Sequence, residues 1–451
     1  MVVASIDIQN GQVVQLKQGE ELVLRRDDAL ALAQEFDKYG EVAVIDLDAA
    51  MGKGSNIEMM KPLFRAARCR VGGGIRSVEQ AVELVSLGAE KIIIGSTAFR
   101  CPGKDGFAVN TVFLKELALK IGRERLIVAV DSRGDTIVVD GWKTDTGLPL
   151  VECAAELEEY AGELLWTCVE REGTMTGINI ARLYALRGRV SCQITAAGGV
   201  STLAELEEIA QAGCDTQLGM ALYTGKIKLA DAFSVSLNWK KGIPDTVFKE
   251  DVRHNPAERP TRMLLPIVVQ SEDGQLLMSA YTDKEALSES FARGNLCFYS
   301  RSREKLWMKG ESSGNTLKLL RLRADCDRDA LSALVRPTGP VCHTGAYSCF
   351  ETGQQYSLGY LQSVINERLS ALGSDSYTAS LSTDKVKRKV MEEAYEICTA
   401  RSRDESVWEA ADLFFHTILL LSKEGIAIDE VLAELDRRHK EDRAKKKRFI
   451  G

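Results

Sequence analysis

The segment Asp325-Cys326-Asp327-Arg328-Asp329 is followed sixteen residues after Cys326 by Cys342-His343, and seven residues later by Cys349. If the first segment is extended, its three carboxylates share one face, because strand side chains repeat every second residue. Such a face is an oxygen cage suited to a hard cation. Cys326, on the opposite face, can join Cys342 and Cys349 in a three-thiolate set that leaves the fourth corner of a tetrahedral zinc open to water. An open corner belongs to a catalytic zinc, and the chain has no pair of Cys-x-x-Cys knuckles with which to close a structural one.

Two further sets of residues could do chemistry around this one. Upstream, Arg301, Arg303 and Lys309 stand near Gly310, Ser312 and Ser313, so charged donors and bare backbone N–H groups can face one phosphate. Downstream, Glu393 and Glu396 share one helical face, and Glu409 and Asp412 share one face of the next helix. Two facing pairs form a magnesium site, since an octahedral ion takes carboxylates from two helices and keeps positions for water and substrate phosphates. His416, one turn after Asp412, reads equally as a support for these carboxylates or as core.

The elements that position these groups follow from the periodicity. Residues 1 to about 238 alternate apolar runs (Val42 to Leu47, Ile92 to Ile94, Leu126 to Val130, Gln193 to Ala196) with helical patterns such as Ser77 to Leu87 and Leu203 to Ala212, a parallel sheet covered by helices. Within this stretch lies a repeat. Ser5-Ile6-Asp7 is echoed by Ala129-Val130-Asp131, Gly73-Gly74 by Gly198-Gly199, and Gly95-Ser96 by Gly219-Met220, at offsets of 124, 125 and 124 residues. A constant offset through three motifs implies an eight-stranded (βα)8 barrel made of two half-barrels. Each half then supplies one carboxylate, Asp7 or Asp131. Gly73, Gly74, Gly95, Ser96, Gly198, Gly199 and Gly219 would let backbone N–H groups approach an anion at each end of the substrate.

Residues 239–260 read as a proline-containing linker. Residues 261–352 read as a compact, mainly β domain that begins with a hairpin around Ser271 to Gly274. Residues 355–451 carry four helical patterns and read as a bundle. The fold class is therefore multidomain: an α/β barrel, a β metal domain and an all-α bundle. A net charge of −7 and a pI near 5.5 argue against nucleic acid as the main partner. Neither a signal peptide nor a membrane span is expected, so the location expected is cytoplasmic. The clustered thiols among the eleven cysteines are then metal ligands, while Cys69, Cys153 and Cys192 are small core residues.

Three resemblances are carried by these motifs. Asp7-Ile8, Gly11 to Leu16, Val44 to Ala50, Gly72 to Arg76 and Gly141-Trp142 resemble the HisA-type barrel of the histidine pathway, which performs an Amadori rearrangement on ProFAR. The resemblance implies Asp7 as general base, Asp131 as general acid and Thr167 as an assisting group. This sequence carries Glu172 where the family usually shows Asp, and Met220 where Arg or Lys is common; a non-catalytic scaffold is the alternative reading of the barrel.

Trp307 to Asn315, together with the Asp325 to Asp329 and Cys342 to Phe350 motifs, is similar to phosphoribosyl-AMP cyclohydrolase. That family opens the adenine ring between N1 and C6. The resemblance implies zinc (Zn2+) on Cys326, Cys342 and Cys349, magnesium (Mg2+) on Asp325, Asp327 and Asp329, His343 as proton carrier, and phosphate contacts from Arg301, Arg303, Trp307, Lys309 and Ser313. Ser376 to Thr378, Lys389 to Glu396 and Trp408 to His416 look like phosphoribosyl-ATP pyrophosphohydrolase of the all-α MazG-like type. There Glu392, Glu393, Glu396, Glu409 and Asp412 would bind magnesium. Phosphoribosyl nucleotides are the small-molecule partners implied, with a homodimer formed through the central and C-terminal domains.

Overall fold

A computed structural model of the chain describes residues 1–101, 106–248, 261–350, 353, 356–370, 377–432, 434, 435 and 438. Two compact units are formed, one from residues 1–269 and 279–339 and the other from residues 270–278 and 340–451. Residues of the expected middle domain fall in both units.

The first unit contains the expected barrel. Its parallel strands are β1 (Val2–Gln9), β2 (Val42–Asp46), β3 (Cys69–Gly72), β4 (Lys91–Ile94), β5 (Leu126–Ala129), β6 (Glu163–Thr167), β7 (Gln193–Ala197) and β8 (Asp215–Leu218). Each pairs with its sequence neighbour, and β8 closes on β1 with Val2 opposite Thr216 and Ala4 opposite Leu218. Near-continuous burial of these strands follows from apolar runs covered on one side by helices and filled on the other by inward side chains. Ile93, Ile127, Leu165 and Ala197 form one interior layer. Cys69, Cys153 and Cys192 are buried, as expected of small apolar residues.

The two halves also repeat an insertion. An antiparallel hairpin (Gln12–Lys17 and Glu21–Arg26) follows β1, and a three-stranded antiparallel sheet (Ser132–Arg133, Thr136–Val139, Thr144–Pro149) follows β5. These place Gln15, Gly19 and Trp142 over the barrel mouth.

The first ten residues of the expected linker are structured. Trp239–Lys241 form a 3₁₀ turn, and Ile243–Pro244 pair antiparallel with Leu264 and Met263 of strand β9 (Met263–Ser271). The remainder, with His254, lies outside the described residues. The hairpin expected around Ser271 to Gly274 is formed by β9 and β10 (Leu276–Thr282). A single helix, α1 (Lys284–Arg293), precedes β11 (Cys297–Ser300), β12 (Lys305–Met308), β13 (Leu317–Ala324) and β14 (Leu331–Pro337). Asp283 caps α1 by accepting from Ala286 N at 2.8 Å, and Gly294 ends it in the left-handed region.

In the second unit the helices α2 (Leu358–Ser370), α3 (Thr383–Thr399) and α4 (Arg403–Lys423) pack around Leu361, Ile365, Leu381, Val386, Ile418, Leu419 and Ile428. A further helical stretch begins at residue 428, and the basic tail Lys445 to Arg448 lies outside the described residues. No described helix is long and apolar enough to cross a membrane.

Candidate active sites

Asp7, Asp131, Thr167, Gly73, Gly95, Gly198, Gly199 and Gly219 line one cavity at the C-terminal ends of the barrel strands. The Ser5 hydroxyl donates to Asp7 (2.7 Å), and burial pushes the Asp7 carboxyl up to about 6 against that bond. Trp142 Nε1 donates to Asp131 at 2.8 Å; burial raises the Asp131 pKa, while hydrogen bonds from Trp142 and Thr167 oppose the rise.

A third carboxyl enters the same cavity. Burial, followed by the charges of Asp7 and Asp131, pushes Glu172 up to about 7. In the sequence Glu172 stands out only as a departure from the family, and its one local signal is that it is a carboxylate five residues beyond Thr167. Gln15 Nε2 and Gln217 Oε1, on residues lining the cavity, are buried without a hydrogen-bond partner.

The paired glycines have a second reason to be glycine. Gly73 has φ +100, and a Cβ there would lie 2.2 Å from Asp46 O; Gly198 has φ +93, and its Cβ would lie 2.6 Å from Cys168 O. Each pair lets one βα loop cross close to the end of the preceding strand, at equivalent places in the two halves. Gly74 and Ser96 sit beside the cavity rather than among its lining residues: a Cβ on Gly74 would meet Ala49 O at 2.3 Å, and Ser96 Oγ accepts from Asp140 N at 2.9 Å.

The Asp325 to Asp329 segment is not extended. It is a tight turn between β13 and β14, with Arg328 N donating to Asp325 O (3.3 Å), Asp329 N to Asp325 Oδ1 (3.0 Å) and Arg328 at φ +66. The three carboxylates still converge, with ligand atoms within 4.8 Å of one another, but it is the turn and not strand alternation that gathers them. Desolvation, then the charges of Asp327 and Asp325, raise the Asp329 pKa, a crowding that a cation relieves, so the set fits a hard divalent ion. Lys241, from the expected linker, reaches Asp327 Oδ2 at 2.6 Å and holds its pKa down. Cys326 is exposed, its Sγ 4.0 Å from an Asp327 carboxylate oxygen.

On the same unit, Arg301 lies over the Tyr281 ring (4.3 Å), and Trp307 packs on Phe298 (5.8 Å) across the β11–β12 pair. Lys309 is buried, whereas Arg303 and Ser313 are exposed in turns.

In the second unit Cys342 and Cys349 meet through a compact turn in which Cys342 N donates to Ala346 O (3.0 Å). The Thr344 hydroxyl donates to Cys342 Sγ at 3.1 Å and, with the Thr344 N–H, lowers the thiol pKa; the Cys349 side chain adds to this. A depressed thiol beside a second thiol is a donor pair that fits zinc. His343 is exposed, with Nδ1 3.8 Å from Cys342 Sγ.

Across α3 and α4, Glu393, Glu396 and Glu409 converge with ligand atoms within 4.8 Å of one another. Desolvation, then the charge of Glu396, raises the Glu409 pKa, which again fits a cation. Two further expected ligands lie beside this trio: Lys389 bridges Glu392 to Glu393, and the Asp412 charge contributes to the rise in the Glu409 pKa. Glu392 pairs with Lys389 (2.9 Å), and the Asp412 carbonyl faces His416 Nδ1 at 2.9 Å. His416 is buried, 3.7 Å from Glu393, so it both touches the carboxylates and packs in the core.

The histidine biosynthesis protein family matches residues 1–228, the phosphoribosyl-AMP cyclohydrolase family residues 278–351, and the phosphoribosyl-ATP pyrophosphohydrolase family residues 358–439. Proteins named histidine biosynthesis bifunctional protein HisIE are similar over part of the chain. That of Bacillus subtilis is 42% identical over 193 residues, 40% of this chain and 92% of its own length. Those of Vibrio cholerae and Pyrococcus furiosus are each 40% identical, over 189 and 192 residues, 39% of this chain in both cases and 90% and 92% of their own lengths. With a closed barrel that bears its carboxylates at the mouth, and with both HisIE-type segments following in order, the chain belongs to the histidine biosynthesis protein family.

Proposed function

We propose that this chain is a multifunctional enzyme of histidine biosynthesis. Its helical segment, 355–451, hydrolyses phosphoribosyl-ATP to phosphoribosyl-AMP and pyrophosphate. The middle segment, 261–352, opens the adenine ring to give ProFAR, and the barrel, 1–238, rearranges ProFAR. The observation that carries this reading is that the three segments hold, on one chain, the groups needed by three consecutive reactions.

In the barrel, Asp7 is mostly ionised at neutral pH and acts as base at C2′, with Ser5 orienting it. Asp131, positioned by Trp142 and Thr167, delivers a proton to the ring oxygen, and Glu172 keeps a further proton in the same cavity near pH 7. The glycine edges of the two halves receive the two phosphates.

In the middle segment Thr344 holds Cys342 toward its thiolate, and His343 beside it carries a proton to N1. Arg301, Arg303, Lys309 and Ser313, with Trp307 nearby, bind the 5′-phosphate end. Zinc on Cys326, Cys342 and Cys349 would supply the Lewis acidity that activates water at neutral pH, and magnesium on the aspartate turn and on the helical carboxylates would neutralise phosphate charge.

Exposed Met391, Tyr395, Val407, Trp408 and Phe414 on α3 and α4 support assembly as a homodimer. A reducing, cytoplasmic location suits a chain that needs three cysteine thiolates.

A time course from phosphoribosyl-ATP tests the whole reading: pyrophosphate, phosphoribosyl-AMP, ProFAR and rearranged ProFAR should appear in that order. Asp7→Asn should stop at ProFAR. A second reading, the barrel as support and not isomerase, is favoured by Arg328 of the middle segment being seated on the barrel floor. ProFAR left unchanged by both the native chain and Asp7→Asn would select it.

A further inference from the structure

The aspartate turn is fastened to the barrel from within. Arg328, between Asp327 and Asp329, donates through Nη2 to Asp215 Oδ1 (2.8 Å) and to Cys214 O (3.1 Å). Asp215 opens β8 at the barrel floor, is buried, and also takes the Met1 ammonium on the same oxygen. The Arg328 carbonyl accepts from Asn238 N at 2.8 Å, and the preceding strand is held as well, with Leu322 N on Lys38 O (2.8 Å) and Arg321 Nε on Asp37 Oδ2 (2.6 Å).

Arg328 pays for its place in backbone strain, since φ +66 is a region that side-chain-bearing residues avoid and glycine occupies freely. An anchor needed only to join two domains could come from any surface residue. This one stands in the chain between two of the converging aspartates, and its guanidinium is mostly buried, so it needs the buried anion of Asp215.

Resting on the reading that this turn holds a divalent cation for ring opening, we infer that Asp215 is a positioning residue for that cation. Through Arg328 it fixes the turn that gathers Asp325, Asp327 and Asp329. The barrel thereby serves the middle segment's reaction, whatever chemistry its own mouth performs.

The test is Mn2+ binding, followed by electron paramagnetic resonance of the free ion, in the full chain carrying Glu393→Gln and Glu409→Gln to silence the helical carboxylates. Arg328→Gly satisfies the turn's backbone while removing the anchor, and Asp215→Asn removes its anion. Each should weaken Mn2+ binding about tenfold, the scale at which groups supporting metal ligands act. The double variant should lose no more than the worse single, because both act through one contact. Arg328→Lys, which keeps the charge, should retain most of the affinity and guards against a variant that merely misfolds. Unchanged affinity in Arg328→Gly or Asp215→Asn, or losses that add in the double variant, would overturn the inference. Binding that Asp327→Asn leaves untouched would sink the cation-site reading beneath it, and the inference with it.

Discussion

Three carboxyls in one cavity cannot all be charged cheaply, and at the scale of single residues this governs the barrel mouth. Folded Glu172 keeps its proton up to about pH 7, whereas in the unfolded chain it loses it near 4.5. The folded state therefore binds more protons across that window, and stability falls as pH rises through it. Glu172→Gln removes the penalty. It should raise barrel stability at pH 8 by about 2 kcal/mol, an order of magnitude discounted for the solvent that the open mouth admits. Thermal denaturation should show this difference shrinking toward zero as the pH approaches 4.5; an equal gain at both pH values would mean that packing, not charge, is responsible.

At the scale of elements, which face of a helix a carboxylate occupies separates the acids that converge across two helices from their neighbour in sequence. The i, i+3 pair Glu393 and Glu396 faces Glu409 on the next helix, while Glu392, one residue away, turns toward Lys389. Glu393→Gln should lower pyrophosphate release by about a hundredfold or more, the loss typical of removing one charged group from a polyphosphate site, with ring opening intact. Glu392→Gln should leave pyrophosphate release within about twofold. Equal losses in the two variants would move the site off the face that Glu393 shares with Glu396 and Glu409.

At the scale of the whole molecule, the three proposed reactions use different ligand chemistries, so they can be stopped separately. A thiol-competing zinc chelator should abolish ring opening while pyrophosphate release continues in magnesium, and phosphoribosyl-AMP should accumulate. Ring opening that survives complete zinc removal would discard the thiolate site. ProFAR supplied from outside should still be rearranged in the chelated protein, since the barrel mouth is built from carboxyls, glycines and Trp142 without thiol ligands at its reacting end.

Much of this was legible in order along the chain. Apolar runs in alternation with helical periods, and motifs repeated at a constant offset, determine a barrel of two halves, because burial and internal symmetry both write themselves into local spacing. Carboxylates three apart on a helix likewise declare their shared face. Four things were decided only by the tertiary structure. The 325–329 segment converges through a turn held by hydrogen bonds to Asp325, which a pattern of alternate aspartates cannot distinguish from a strand. Lys241 joins that turn from what composition marks as linker. Glu172 becomes a neutral-pH proton holder, and Asp215 the counter-ion of Arg328, because charge and desolvation act across distances in space between residues more than forty apart in sequence. Spacing along a chain encodes which groups share an element; which groups share an electric field is settled by the packing of those elements against one another.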